Sequence, residues 1–577
     1  MNIEKASTPQ PSLSETSHKS QDSGFSDSEG HGIALASYGG AKRSDDSDNR
    51  SSCDDLSSLP PPTHSSTPKA KDHMSKCCQM EERIYCSREW NSPVKLWLSE
   101  VRYLCDPECT SSLQSKPITA GTNEKVTRTT SFVVNTIRSL HRQLSSVCSK
   151  LNLLYRKINK GNLKGSGRQF ERITQRMVNI LSEHNEKYLE DFDCSGLQIA
   201  FSTLTSREKD VPNLKSIMKT VALLFSKKVE QILLNYIKML IDLLKNEKSP
   251  SSLAIILSGI GSLGLHVSHL ADLMAYCSGI SHLLSVFVNC SSPAVHTAAL
   301  NILSTICCTP DSVRQFETSG GLELLSDILT DSSKGEAEYC GAVSLLVQVT
   351  APWLEITVQN VDKQLEPLIT SITRLISESR SSEMLLLCAA ALANISCIEP
   401  KSIWPLVYCS STGTLLKAVR ILGPKASVFL KEQAVTLLAN MSGVKEVLPH
   451  LTQNRAVPAL LCFLQVSLSP LQSSGEKEAT FRVQHKAVIA LSRLCNDSEA
   501  AMQVAELQGV SRLVRLCKEE NERNNNDSVL ACCLVTLRKI TKHCGLDAVK
   551  SLNASELVEP ELFESILLYS SKYFESK

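Results

Sequence analysis

The pattern of apolar and polar positions predicts an all-α chain in four parts. The first stretch is rich in Ser, Pro, Asp and Gly and cannot bury enough apolar surface to offset the entropy of ordering, so we expect a disordered tail. A short amphipathic segment follows, then a region with long helical patterns such as 132–154 and 217–244, and finally a repeated helical pattern. The predicted boundaries are 1–85, 88–119, 126–250 and 251–577.

The amphipathic segment has clear start and stop signals. Ser92 is a candidate N-cap and Pro93 suits the first helical position, while Pro107 disfavours helical geometry at Asp106. One helix with an extended continuation has no core of its own, so we expect it to dock into a partner's groove; packing on the helices that follow is the alternative. The apolar residues on its one face are Val94, Trp97, Leu98, Val101, Leu104 and Cys105.

A leucine-centred helical phrase recurs through the last 300 residues. The aligned leucines stand at 300, 346, 392, 438, 491 and 537, so the steps are 46, 46, 46, 53 and 46 residues. The polar stretch 467–478, which contains a glycine, explains the longer step. A period of this length is typical of a helical solenoid.

A second sequence phrase lies between successive copies of the leucine-centred phrase and returns with the same period. It consists of a glycine or proline that turns the chain and an apolar helix after it, as at Gly320, Gly413, Pro458 and Gly509. The two phrases together resemble armadillo repeats, whose second and third helices they match. The resemblance implies a right-handed armadillo solenoid of five to seven repeats.

The residues that stand two positions after each aligned leucine stack into one column on a regular solenoid. In armadillo proteins, asparagines here hydrogen-bond the backbone of an extended ligand, which makes Asn394 and Asn440 the candidates; helix-end caps are the alternative. Importin-type members place a tryptophan four residues earlier, but this chain has Ala390 and Thr436, which disfavours nuclear-signal binding. The predicted groove residues are Gln348, Asn394, Asn440, Arg493 and Lys539.

Charge and cysteine content narrow the function classes. With 61 Lys+Arg against 60 Asp+Glu, any electrostatic function must be local. The local candidate is the stretch 125–176, which contains twelve basic residues and only one acidic residue, Glu171. This stretch is either a solvated helix face or a contact for anionic lipid, nucleic acid or an acidic peptide. The 22 cysteines lie largely in apolar patterns with no export signal, so we interpret them as reduced packing thiols of a cytosolic protein.

We find no motif for an enzyme. The stretch Gly259–Gly264 matches the dinucleotide-binding spacing and follows the strand-like 253–257, but no acid follows at the required distance, so helix packing is favoured. Phosphate-loop, zinc-protease and nucleophile-elbow motifs are missing. We therefore expect no catalytic residues, no metal and no cofactor. No apolar run approaches the length of a membrane span.

The order of parts and several local phrases resemble the Inscuteable family over roughly residues 90–570. The phrases are the Val94-x-x-Trp97-Leu98-x-Glu100-Val101-x-x-Leu104 pattern, Leu-Gln-Ser-Lys-Pro-Ile at 113–118, Asp-Ile-Leu-Thr-Asp-Ser at 327–332, Val-Gln-Val-Thr-Ala-Pro at 347–352 and Glu522-Arg523-Asn524-x-x-Asp527. The resemblance implies a non-enzymatic adaptor of asymmetric cell division. It would join an apical polarity complex, through a Bazooka-type PDZ scaffold, to a Partner-of-Inscuteable-type tetratricopeptide protein and so orient the mitotic spindle.

The same resemblance implies a docking site on 92–118, with the helix entering the tetratricopeptide groove first and the extended acidic stretch after it. The residues implied are Val94, Trp97, Leu98, Glu100, Val101, Leu104, Asp106 and Glu108. Further expectations are a cytoplasmic protein recruited to the apical cell cortex, a higher-order hetero-oligomer with the tetratricopeptide partner, and no nucleic acid. The rival hypothesis is an armadillo module that binds an anionic membrane surface or nucleic acid through 125–176. The C-terminal PDZ-binding tail of some members does not fit the terminal Lys577.

Overall fold

The computed structural model describes residues 124–184, 192, 195–206, 211–264, 269–354 and 361–570. Within these ranges all regular structure is helical, which confirms the all-α prediction. The described residues form two compact units. One comprises 135–235, and the other comprises 124–134 with 236–570.

The smaller unit is a group of four helices, of which the first and last also run into the larger unit. The predicted helical patterns lie inside the first and the last of them. Phe170 and Phe201 stack in the core with ring centroids 4.0 Å apart. The first two helices are joined by the connection 160–165, because the second helix begins at Ser166. The helices are α1 (Glu124–Asn159), α2 (Ser166–His184), α3 (Ser195–Ser206) and α4 (Val211–Asn246).

The larger unit continues with twenty further α-helices among the described residues. Those up to the middle of the array are α5 (Pro250–Leu263), α6 (Leu270–Tyr276), α7 (Gly279–Asn289), α8 (Pro293–Ile306), α9 (Pro310–Thr318), α10 (Gly321–Thr330), α11 (Glu336–Val349), α12 (Val361–Glu378) and α13 (Ser382–Ile398). The rest are α14 (Ile403–Tyr408), α15 (Ser411–Leu422), α16 (Val428–Met441), α17 (Leu448–Gln453), α18 (Ala456–Phe463), α19 (Ser474–Leu494), α20 (Ser498–Glu506), α21 (Gly509–Lys518), α22 (Asp527–Cys544), α23 (Asp547–Lys550) and α24 (Leu562–Tyr569).

These helices follow one another as short first, second and third helices of an armadillo repeat. The sets α6–α8, α9–α11, α14–α16, α17–α19 and α20–α22 are complete, and α12 and α13 supply a second and a third helix. Every aligned leucine lies on a third helix and is buried, because the 46-residue period places it where consecutive third helices pack. The predicted armadillo solenoid is therefore confirmed.

The corner between first and second helices explains the second sequence phrase, with one correction. The residue that turns the chain has a left-handed backbone, with φ of 54° at Ser278, 78° at Gly320, 52° at Ser410, 63° at Arg455 and 57° at Gln508. Only Gly320 is the glycine predicted to turn the chain; Gly413 and Pro458 lie inside the helices that follow. Non-glycine residues accept this strained conformation because packing of the repeat imposes it.

The residue after the corner is small for a steric reason. A Cβ added to Gly321 would lie 2.4 Å from the ring of Phe316, and one added to Gly509 would lie 2.7 Å from Leu461 and Val504. The second helix therefore starts in close contact with the first helix of its own repeat. The glycines found by sequence serve this close approach at 321 and 509 more than they serve the turn itself.

One local prediction is corrected by the helix boundaries. The strand-like 253–257 belongs to α5, where Gly259 approaches the side chains of Thr130 and Val134. The described cysteines include no disulfide, and burial raises the pKa of Cys495 to about 12, so this thiol is a packing residue.

The long step in the repeat is explained by α19, which has 21 residues where α16 has 14. Ser473 accepts a hydrogen bond from the Glu476 amide, and the Glu476 carboxylate accepts one from the Ser473 amide. This capping box starts the helix seven residues early relative to its neighbours. The predicted insertion 467–478 is thus a loop that ends in the first turn of a helix, since Ser474 to Glu478 are helical.

Candidate functional site

The predicted docking segment lies outside the described residues. Its eight predicted partner-binding residues are Val94, Trp97, Leu98, Glu100, Val101, Leu104, Asp106 and Glu108, and the predicted disordered tail precedes them. These assignments stay predictions. The described site candidates are those on the third helices.

The predicted groove column forms a regular series of hydrogen bonds between repeats. The Asn394 amide Nδ2 donates to the main-chain oxygen of Val347 at 3.1 Å, and Asn440 Nδ2 donates to that of Ala393 at 3.1 Å. Each acceptor is the residue directly after the aligned leucine of the preceding repeat. The donors are thus not caps of their own helices; they tie one third helix to the one before.

Arg493 and Lys539 continue the same series with charged side chains. Arg493 Nη1 donates to the oxygen of Ala439 at 2.7 Å, and Lys539 Nζ donates to that of Ser492 at 2.8 Å. We call the four donors Asn394, Asn440, Arg493 and Lys539, with their four acceptors, the carbonyl ladder. Gln348 occupies the same column one repeat earlier and is buried on α11.

The ladder meets a need of the helix ends. Val347, Ala439 and Ser492 each lie two residues before the last residue of their helix, where carbonyl groups have no partner within the helix. A donor from the next repeat bonds each of them, and Ala439 also accepts a bond from Ser442 Oγ after its own helix. A cation at such an end also gains from the helix dipole, by about 0.3 to 1 kcal/mol.

A second line of contacts joins α16 to α19, and sequence analysis missed it. Arg482 Nε lies 2.6 Å from the carboxylate of Glu432, which is fully buried, and Lys486 Nζ donates to Thr436 Oγ1 at 3.2 Å. The partners are 50 residues apart in sequence, so no local pattern pairs them. The signal that could have found them is their register, because Arg482 and Lys486 lie on the same face of α19 as Arg493.

Positive charge is concentrated on the last two of these third helices, α19 and α22. Arg482, Lys486 and Arg493 follow along α19, and Lys539 adds a cation on α22. Burial is the main cause that lowers the pKa of Lys539, and the nearby positive charge of Arg493 lowers it further. At the position of Arg493 and Lys539, two residues after the aligned leucine, earlier third helices have the neutral and buried Ile302 on α8 and Gln348 on α11.

The earlier third helices are joined by a different buried pair. His296 Nδ1 lies 2.9 Å from Glu338 Oε1, and His296 Nε2 lies 2.6 Å from the oxygen of Cys290. Burial acts to raise the pKa of Glu338, but hydrogen bonds from His296 and the Gly335 amide, with the charge of Lys334, lower it overall. The pair therefore joins α8 to α11 across 42 residues of sequence.

Among the described residues, no group of three His, Cys, Asp or Glu side chains could hold a metal ion. No single described helix is long and apolar enough to cross a membrane; α6 and α7, bent by 75°, reach the required length and composition only as a pair.

The three-helix repeat and its ladder define an armadillo-repeat protein. The model of the family described as "Protein inscuteable C-terminal" matches residues 194–576. The chain belongs to the Inscuteable family. It is 34% identical to "Protein inscuteable homolog" of Mus musculus over 308 residues and 33% identical to that of Homo sapiens over 305 residues. Each match covers 52% of this chain and 52% of the relative, so the chain spans about half the length of the curated relatives it matches.

Solved structures with a similar fold include an engineered protein with a TM-score of 0.47 and 18% identity, which covers 73% of this chain and 98% of that one. A designed armadillo repeat protein in complex with the peptide (KR)4 has a TM-score of 0.35 and 17% identity, with 43% and 98% covered. Because both scores are below 0.5, the fold assignment rests on the repeat geometry described above.

Proposed function

We propose that this chain is a non-enzymatic adaptor that links a Partner-of-Inscuteable-type tetratricopeptide protein to a Bazooka-type PDZ polarity scaffold and so orients the mitotic spindle in asymmetric division. The observation that carries the proposal is membership of the Inscuteable family, matched over residues 194–576. The solenoid supports it, because a stack of repeats presents a long continuous surface to other proteins. The recruited location is the apical cell cortex.

The tetratricopeptide partner binds the 88–119 segment in this proposal. Trp97, Leu98 and Val101 fill apolar pockets of the partner groove, while Glu100, Asp106 and Glu108 meet its basic residues. Trp97 is the anchor, since a large aromatic side chain at the centre of an interface contributes more than its neighbours. The polarity scaffold binds the solenoid in this proposal. Because the two partners use different regions, one chain can hold both of them, including in a hetero-oligomer.

The test is a titration of the full chain into the tetratricopeptide domain of a Partner-of-Inscuteable-type protein. Trp97→Ala should weaken binding by about 2 kcal/mol or more, and Glu108→Lys should weaken it by charge reversal. Trp404→Ala is the matched control, because Trp404 is 45% exposed on α14 and lies outside the segment. Tight binding that Trp97→Ala leaves unchanged would refute the placement of this anchor.

One observation supports the rival function. On α2 the side chains of Arg168, Arg172 and Arg176 are all exposed and follow at intervals of four, which gives one basic helix face. Binding of the full chain to vesicles with anionic lipid, lost at high salt and lost when these arginines become glutamine, would favour a membrane-surface module. Tetratricopeptide binding that depends on Trp97 and changes little with salt would favour the adaptor.

A further inference from the structure

One short helix of the array exposes two aromatic rings to solvent. Ile403 and Leu406 hold α14 in place, since both are buried, with 6% and 0% of their surface exposed. Trp404 and Tyr408 lie on the other side of the helix and are 45% and 79% exposed. Their spacing of four residues places them on one face, and the rings stack with centroids 6.1 Å apart and 27° between their planes. The pair forms a continuous aromatic surface.

Two kinds of ligand gain from such a surface, an organic cation over the ring faces and a proline-rich segment. The charges around α14 argue against the cation. Residues 400–425 contain four basic residues and no acidic residue, so another positive charge would be repelled. The basic residues are Lys401, Lys417, Arg420 and Lys425. A proline-rich segment has no such conflict, and it loses little entropy on binding because proline fixes φ at about −65°.

This chain contains a segment with the matching chemistry. Leu59 is followed by three successive prolines, and we call positions 59–62 the proline run. Residues 45–55, which precede it, contain five acidic residues and one basic residue, Arg50. An acidic flank beside the run complements the basic stretch 400–425. Both the apolar part and the charged part of this segment therefore fit the surroundings of α14.

The connection between the run and α14 is long enough. Residues 63–123 join the run to Glu124, where α1 begins, and Thr130 on α1 approaches Gly259 on α5. From α5 the helix contacts lead through α8 and α11 to α13, which is followed by α14. Three steps of about 8 to 10 Å amount to about 30 Å. A link of about 60 residues spans about 40 Å even as a random coil, so the run has an effective concentration of about a millimolar at α14.

We propose that the proline run of this chain docks on Trp404 and Tyr408 and so attaches the N-terminal tail to the solenoid at α14. The contact uses the first helix of a repeat, so it is separate from the third-helix column and its carbonyl ladder. It also goes beyond the adaptor function, because the tetratricopeptide segment 88–119 begins after the run and keeps its own partner. The run is thus a second contact of the N-terminal region, made within the chain.

The experiment uses the full chain with a photoreactive residue in place of Thr63, next to the proline run. Isotope-light and isotope-heavy chains are mixed, irradiated and analysed by mass spectrometry, so that cross-links within one chain and between two chains are distinguished. We expect cross-links to residues 401–410 of the same chain, at a yield that does not change with protein concentration. Cross-links mainly between light and heavy chains would make a second copy the ligand and overturn the proposal. The absence of a cross-link to α14 would overturn it as well.

The aromatic side is tested with Tyr408→Ala. Loss of this ring should lower the yield of the α14 cross-link about fivefold or more, since an aromatic anchor contributes much of a small contact. The matched control is Tyr276→Ala, because Tyr276 is 74% exposed at the end of α6, also a first helix, and should change the yield less than about twofold. Unfolding midpoints of both variants should stay close to that of the parent chain, because both rings are mostly exposed. Equal loss of yield in the two variants would overturn the proposal.

The proline side is tested with a variant that carries Pro→Ala substitutions at all three prolines of the run. It should lose as much yield as Tyr408→Ala. The control variant carries Pro9→Ala, Pro11→Ala and Pro68→Ala, which removes the same number of prolines from other positions of the tail and should keep the yield. If the run variant keeps the full yield, the prolines are not the ligand and the proposal is wrong.

Trp404→Ala separates this inference from the adaptor function. The variant should lose the α14 cross-link and keep the affinity for the tetratricopeptide domain, since Trp404 lies outside 88–119. A retained cross-link would overturn the docking of the run. Tetratricopeptide binding through Trp97 is measured separately, so the adaptor function can fail or stand independently of this result.

Discussion

The early and late third helices solve one bonding problem with different side chains. On α13 and α16 the ladder donors are asparagines, and α13 is buried from Met384 to Ser396. On α19 and α22 the donors are Arg493 and Lys539, and the same helix face stays half-exposed. Stacking of repeats therefore needs only a donor in this column. The donor can be a neutral amide or a charged side chain, as Asn440 and Arg493 show.

A charge placed at the early end is the strongest way to break this comparison. Asn394 is only 2% exposed, so Asn394→Lys would bury an ammonium group among apolar side chains. We expect a loss of about 3 kcal/mol or more in the free energy of unfolding, measured by urea denaturation. Asn440→Lys is the matched control, since Asn440 is half-buried and should lose less. Equal losses would mean that burial does not decide the cost of a charge in this column.

The buried ion pair at the late end comes next. Glu432→Ala would remove the carboxylate that Arg482 contacts at 2.6 Å and leave a guanidinium that is about nine-tenths buried without this partner. We expect a loss of about 3 kcal/mol in thermal or urea unfolding. Asp311→Ala, which breaks the exposed pair with Arg314, should cost less than about 0.5 kcal/mol. Similar costs for both would show that Glu432 is not tied to Arg482 in solution.

The pair at the early end should appear in the pH dependence. The pKa of Glu338 is lowered in the folded state, so its ionised form contributes stability above the unfolded value near 4.5, and this contribution is lost as pH falls through the folded pKa. Glu338→Gln should therefore give a flatter loss of stability below about pH 5. Glu366→Gln on α12 serves as the exposed control. An unchanged acid limb in Glu338→Gln would contradict the sign of this shift.

The smallest expected effect tests the ladder most directly. Arg493→Asn should change the free energy of unfolding by less than about 0.5 kcal/mol, since an amide can meet the Ala439 carbonyl as Asn440 meets Ala393. Arg493→Leu should cost about 0.5 to 1.5 kcal/mol, because the Ala439 carbonyl loses this donor and keeps the bond from Ser442 Oγ. If both substitutions cost the same, the hydrogen bond is not what holds this rung together.

The repeat architecture could be predicted because its signal is periodic. Leucines spaced by 46 residues lie on equivalent helices of successive repeats, so Leu392 and Leu438 locate the third helices of two neighbouring repeats. The column of Asn394, Asn440, Arg493 and Lys539 was identified by the same period. Its bonding partners were not, since the acceptors are main-chain oxygens that any residue supplies about 47 residues earlier.

The remaining differences have physical causes that a sequence pattern does not carry. Glu432 and Arg482 pair only because α16 and α19 are neighbours, which depends on the fold. Ser278, Ser410 and Gln508 adopt left-handed backbones that their side chains do not favour, so sequence preference pointed to the nearby glycines instead. The predicted docking residues, Trp97 foremost, await binding measurements.

The direction of the ladder has a consequence for synthesis on the ribosome. Every ladder donor comes from the repeat that follows its acceptor, so the carbonyls of Val347 near the end of α11 and Ser492 near the end of α19 lack this partner until roughly one further repeat has left the exit tunnel. Each nascent repeat is thus completed by its successor. Arg538 on α22 donates to the oxygen of Pro560 and to Ser565 Oγ, so α22 is tied to the segment that follows it and carries α24.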